Sequence, residues 1–241
     1  MGIIVQKYGG TSVENNDKLL NVCKHAIKEY EANNKVVIVV SAQGDTTDKL
    51  VNEELEISKN PDKREHDVLL SVGEQITISK LAIYLKELGY NAISYTGWQI
   101  PIITDNIHGN ANIIDINTEK ILNELNKNKI VIIAGFQGIT KNGDITTLGR
   151  GGSDTTAVSL ASYLKADKLY IYTDVDGVYS EDPNINNNAI KYKTISYDKM
   201  IEMSENGAKV LHTKCIKMAK ENNIPIIVKS TFVDNEGTIV K

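Results

Sequence analysis

The sequence predicts an α/β protein, a three-layer α/β/α sandwich built on a mainly parallel central sheet. Three observations predict it. Short β-branched runs alternate with longer amphipathic stretches along all 241 residues. Some runs, VVIVV (36–40) above all, are apolar at every position, as a strand covered on both faces requires. Glycine-rich turns follow several of these runs, at the carboxyl ends where such sheets hold ligands.

In chain order, IIVQ (3–6) reads as a strand. Residues 16–32 read as a helix, with Leu19, Leu20, Cys23, Ala26, Ile27 and Tyr30 at helical spacing. VVIVV is the next strand. SKNPDKREHD (58–67), polar and carrying a proline, reads as a surface connection. One long helix is expected over much of 67–88, with Gly89 as its stop. NAISY (91–95) and IVIIAGF (130–136) are strands. ITKNGDITT places β-branched residues on both sides of Asn142-Gly143, a hairpin. GRGGSDTTAVSLASYL reads as a glycine turn, a serine cap and a helix presenting Ala157, Leu160, Ala161 and Leu164 on one face. KLYIYTDV (168–175) is a strand and PNINNNAIKYK (183–193) a loop. Helical patterns cover 197–205 and 207–222, and IPIIVKS (224–230) is a late strand.

Composition narrows the class. Hydrophobic residues make up 41% and charged residues 24%, with a net charge of -4 and a pI near 5.7. That balance argues against a nucleic-acid partner or a membrane surface. No run approaches the roughly 18 apolar residues of a membrane span, and MGIIVQK is not a signal peptide. Cys23 and Cys215 form no disulfide or zinc framework, which fits a reducing, cytoplasmic setting. His25, His66, His108 and His212 show no ligand spacing, so no metal site is expected.

Three turns carry the chemistry: Lys7 to Ser12, Leu148 to Asp154, and Tyr172 to Gly177. Glycines let backbone N–H groups converge, and a helix start adds partial positive charge. Two of the turns add a full charge, Lys7 and Arg150. Together they form a recipe for phosphates in a chain with no global positive charge. The usual phosphate fingerprints are missing, since no Gly-Lys dipeptide occurs and no G-x-G-x-x-G follows a strand.

These turns belong to an ordered series. KYGGTSV, VVSAQGDTTDKL, SVGEQIT, TGWQIPIITD with HGNANI, TTLGRGGSDTTAV, YTDVDGVYSEDP and MSENGAKVLHTKC run from residue 7 to 215. The series resembles the aspartokinases of the amino acid kinase superfamily, in family order, and the likeness spans residue 3 to about 232. The resemblance implies the carbamate kinase-like fold over 1–241, as two lobes sharing one sheet. It also implies transfer of the γ-phosphoryl group of ATP to the side-chain carboxylate of L-aspartate, the first step toward lysine, threonine and methionine. Mg²⁺ would come bound mainly through the ATP phosphates.

Residue by residue, the resemblance implies catalytic roles for Lys7, which would span the phosphates, and Asp154, which would orient it. Gly9, Gly10 and Thr11 would offer donors to the nucleotide. Arg150 would grip the substrate carboxylate in a bidentate fork. Glu74 would hold the substrate ammonium, and Ser41 and Thr47 would complete the aspartate pocket. Thr173, Asp174, Tyr179 and Lys209 match the nucleotide segment. Asn184 and Lys214 stand where the family more often has arginine, which loses the fork. A homodimer is implied as well. Most members continue into tandem ACT domains, whereas this sequence reaches GTIVK about ten residues after IVKSTF. The expectation is therefore a chain without an ACT domain, with a separate ACT-containing regulatory subunit as one explanation. Two alternatives stay open: an amino acid kinase of another substrate, and a non-catalytic nucleotide-binding or regulatory homologue.

Overall fold

The large sheet is built around the first strand. β1 (Ile3–Tyr8) lies between β2 (Lys35–Val40) and β9 (Lys168–Thr173), parallel to both. The structure is a computed structural model, which describes every residue except Met1, Asp182, Asn184, Asn187, Lys209 and Asp234. The other elements, in chain order, begin with α1 (Asn16–Glu31), α2 (Thr46–Ile57), α3 (Lys63–Leu70), α4 (Val72–Glu87) and β3 (Ala92–Tyr95). Next come β4 (Ile102–Thr104), β5 (Ile113–Ile116), α5 (Glu119–Asn126), β6 (Ile130–Ala134), β7 (Gln137–Thr140) and β8 (Ile145–Thr147). The chain finishes with α6 (Gly152–Tyr163), β10 (Thr194–Ile195), α7 (Tyr197–Glu205), α8 (Thr213–Glu221), β11 (Ile226–Ser230) and β12 (Thr238–Val240).

Among the described residues the large sheet runs β10-β12-β11-β9-β1-β2-β6-β3. Its pairings are parallel except β11 with β12. The period-2 geometry of strands sends alternate residues to opposite faces. Val5, Val37, Val39, Val131 and Ile133 pack with α5, α6 and α8 on one face. Tyr8, Ile38, Val40, Ile130 and Ile132 pack with α1 and α4 on the other. The three-layer sandwich is therefore observed, and apolar strands without alternation are its cause. Burying each such Val, Leu or Ile side chain contributes about 1.5–3 kcal/mol.

Several boundaries differ from the sequence reading. The 58–67 segment is not all surface connection. Asp62 caps α3, its side chain accepting from the N–H groups of Arg64 and Glu65, and the helix begins at Lys63. The expected single helix over 67–88 is two helices meeting at Ser71. Together they run 63–87, long and apolar enough to cross a membrane. Yet Asp67, Leu70, Glu74, Ile78, Leu81 and Leu85 are buried in the protein, so this is a core helix pair. The serine cap of α6 is not found. Gly151 is the cap residue, with φ of 73°, and Ser153 lies inside the first turn. The second C-terminal helix starts at Thr213, because Asn206 and Gly207 end α7 first.

A second sheet of order β5-β4-β7-β8 escaped the sequence reading except for its hairpin. The hairpin forms as expected, β7 antiparallel to β8, with Gly143 at φ 93° in its turn. β4 joins β7 in parallel and β5 in antiparallel pairing. This sheet stands beyond the carboxyl end of β6 and carries the chain into α6.

Candidate functional site

Register places the functional turns at one edge. Tyr8 pairs with Val40 and with Tyr172, and Val40 pairs with Ala134. The next residues, Gly9, Ser41, Gly135 and Thr173, therefore emerge side by side. Backbone hydrogen bonds continue the ladder past the strands, from Ser41 N–H to Tyr8 C=O (3.1 Å) and from Gly135 N–H to Val40 C=O (2.9 Å). The Tyr8 and Tyr172 rings stack with centroids 4.6 Å apart, which fixes the β1 and β9 ends against each other.

Lys7 and Asp154, 147 positions apart in the sequence, meet here: Lys7 Nζ lies 2.6 Å from Asp154 Oδ1, with side chains 12% and 11% exposed. Two charges so withdrawn from water are held by one another, and loss of either would leave the other uncompensated. Gly9 brings its backbone close to Lys7 Nζ, since a Cβ there would sit 3.5 Å from it. Gly10 lies against the carbonyls of Ala42 and Gly44 and accepts from Gly44 N–H at 3.0 Å. Thr11 is exposed. The β1 turn and the turn after β2 thus form one double loop, reached by the start of α6 with its partial positive charge.

The start of α4 places a carboxyl group against the turn after β2. Glu74 is 2% exposed, and its Oε1 accepts from Ala42 N–H at 3.0 Å. Its Oε2 is buried with no hydrogen-bond partner among the described residues. Burial pushes this carboxyl up to about 8, against the pull of the Ala42 hydrogen bond. Ser41 Oγ donates to Ser153 Oγ at 2.9 Å, tying the β2 turn to α6. Arg150 is exposed and has no carboxylate partner among the described residues. Thr47, in the first turn of α2, is half-buried.

The residues expected at the nucleotide gather separately. Thr173, Asp174 and Tyr179 line a cavity of about 670 Å³ at the end of β9, with Gly177, Met203 and Val210. Thr173 Oγ1 donates to Asp174 Oδ1 at 2.9 Å. Asp176 accepts from Tyr179 Oη at 2.7 Å and Lys191 Nζ at 2.8 Å. Burial pushes the Asp176 carboxyl up, yet these hydrogen bonds outweigh it and hold it below the ordinary range. Lys209 and Asn184, both singled out from the sequence, lie outside the described residues.

Sequence reasoning missed one cluster. Asp67, wholly buried, accepts from His108 Nδ1 (2.7 Å), from Gly109 N–H (3.0 Å) and from Thr147 Oγ1 (2.5 Å). A lone aspartate on the buried face of an apolar helix was its available signal.

The family model of the amino acid kinase family matches residues 2–230. A curated aspartokinase of Bacillus sp. (strain MGA3) is 55% identical over 241 residues, which is all of this chain and 59% of that protein. The chain thus spans under two thirds of the length of the curated relatives it matches. Among solved structures, aspartate kinase from Synechocystis superposes with a TM-score of 0.89 at 42% identity, over 99% of this chain and 39% of that one. E. coli aspartokinase III in complex with aspartate and ADP superposes with a TM-score of 0.88 at 27% identity, over 99% of this chain and 64% of that one.

Proposed function

The chain belongs to the amino acid kinase family, and we propose that it phosphorylates the side-chain carboxylate of L-aspartate with ATP, giving 4-phospho-L-aspartate. The buried, unpartnered Oε2 of Glu74 carries the reading. A buried carboxylate oxygen without a donor is costly, and the ammonium of an amino acid substrate would satisfy it. Arg150 would take a carboxylate at the other end, so one site would pair with both charges of a small zwitterion. The aspartokinase III crystallised with aspartate and ADP supports the same substrate class.

The chemistry asks little of a general base. An aspartate side chain with a pKa near 3.9 is already ionised at neutral pH. Catalysis then consists of placing that oxygen in line with the γ-phosphorus and relieving charge on the transferring group. Lys7, held in place by Asp154, would lie along the phosphates beside the Gly9–Gly10 turn. Thr173, Asp174 and Tyr179 would hold the nucleoside end in the adjoining cavity. Among the described residues no three His, Cys, Asp or Glu groups converge as a cage. Mg²⁺ would arrive on the nucleotide, bound mainly through the ATP phosphates, where it would neutralise phosphate charge.

The homodimer is supported by one face of α4, where Val72, Ile76 and Ile83 stand exposed within about 40° of arc at 100° per residue. The test of the activity is direct. Mg-ATP, L-aspartate and hydroxylamine with the purified chain should yield aspartyl hydroxamate. Lys7→Ala should lower turnover by on the order of 10²–10³, as loss of an oxyanion donor does. A folded chain that binds ATP and yields no hydroxamate would instead be a nucleotide-binding relative without the chemistry.

A further inference from the structure

The Asp67 cluster lies outside every role assigned so far, yet it reaches the arginine turn by a short covalent path. Thr147 is the last residue of β8, and Leu148-Gly149-Arg150 follow it directly. Asp67 holds Thr147 from one side through Oδ1 at 2.5 Å. The same carboxylate holds the 105–112 loop through His108 Nδ1 and Gly109 N–H. That loop lies along the turn: Ala111 N–H donates to Thr147 C=O at 2.9 Å. A Cβ on Gly149, whose φ is 71°, would fall 2.8 Å from Asn110 Oδ1 and 3.1 Å from Gly109 C=O. The turn that presents Arg150 is therefore braced by the loop, and the loop is fastened by Asp67. Every acceptor site the carboxylate uses serves this one junction.

We propose that Asp67 and His108 are positioning residues for the substrate side of the site, setting the backbone from which Arg150 reaches its carboxylate. The proposal rests on the aspartate kinase reading above. Neither side chain need touch substrate, and neither faces the cavity of Thr173 and Tyr179. The effect should fall on aspartate and spare ATP.

The experiment compares the parent chain with His108→Ala, His108→Asn and Asp67→Asn. Asparagine places an amide N–H near the position of Nδ1 and can still donate to Asp67. KM for aspartate should rise at least tenfold in His108→Ala while KM for ATP stays within about twofold. His108→Asn should recover most of the loss, and Asp67→Asn should show the same selective rise. Calorimetric titration with L-aspartate alone should weaken in parallel. An equal rise in both KM values with a lowered Tm would assign the cluster to general stability and overturn the proposal. Unchanged aspartate affinity in all three variants would overturn it too. A parent chain that makes no phosphoaspartate would overturn the activity first, a distinct result.

Discussion

Burial holds the Glu74 carboxyl near 8, whereas in the unfolded chain it ionises near 4.5. Between these values the folded chain keeps a proton that the unfolded chain has released. Folding stability from this group is full below about 4.5, falls as pH rises, and is lost above about 8. Glu74→Gln keeps an acceptor for Ala42 N–H and removes the buried charge. Its urea midpoint should exceed the parent's at pH 8.5, and the gap should close near pH 5; equal midpoints at both would contradict the assignment. Substrate binding has the opposite sign, because the ammonium wants Glu74 ionised. KM for aspartate should fall about tenfold from pH 7 toward pH 9, until the substrate's own ammonium deprotonates. A flat profile would remove Glu74 from the ammonium site. Without the SVGEQIT pattern this residue reads as one more helix glutamate, since burial of a charge leaves no mark in composition.

α6 carries the next scale. Its start depends on Gly151, whose left-handed φ of 73° is joined by a close approach: a Cβ there would meet the His212 ring at 2.3 Å. Gly151→Ala should cost about 1–3 kcal/mol in folding stability and lower turnover, because Asp154 sits three residues on. Chemical denaturation and hydroxamate assay on one preparation would check both. Deeper in the same helix, Leu160 is fully buried in the core of that face, and Leu160→Ala should cost about 2–5 kcal/mol by urea melt. The central strands and α6 were legible because a covered parallel strand and a glycine turn before a helix have few other readings. Of the small sheet only the β7–β8 hairpin was. β4 and β5 span Ile102–Thr104 and Ile113–Ile116, too short for a period of two to show. The Ser71 junction was hidden too, since its residue keeps helical angles (φ −62°, ψ −17°) and the apolar pattern runs through.

At the scale of the molecule, the two hydrophobic clusters lie on opposite faces of one sheet and share its strands. Neither face can dissolve without exposing the other, so far- and near-ultraviolet circular dichroism should report a single coincident transition. Separate transitions would mean that the faces fold independently. The exposed stripe of Val72, Ile76 and Ile83 makes a second prediction. If it is the dimer contact, Ile83→Asp should shift the sedimenting species to a monomer while the isolated fold keeps its helix content. An unchanged dimer would place the contact elsewhere. The Lys7–Asp154 pairing was legible only through the resemblance, which has Asp154 orient Lys7. Neither turn by itself points to the other, and the fold brings them together through the placement of α6 beside β1.

That strand order has a consequence in time. β1 is synthesised before every other strand of this sheet, and its β9 partner begins at Lys168, about 160 residues later. At about 5–20 residues per second, the strand bearing Lys7 waits roughly 10–30 s with one edge open. β2 can pair early, since Lys35 follows closely, but the stack of Tyr8 on Tyr172 and the hold of Asp154 on Lys7 must wait for the second half of the chain. Long-range parallel closure of this kind is slow. A nascent chain halted before Asp154 would carry the lysine without its carboxylate and the first glycine turn without its neighbour, so phosphate binding should arise late in synthesis and in a single step.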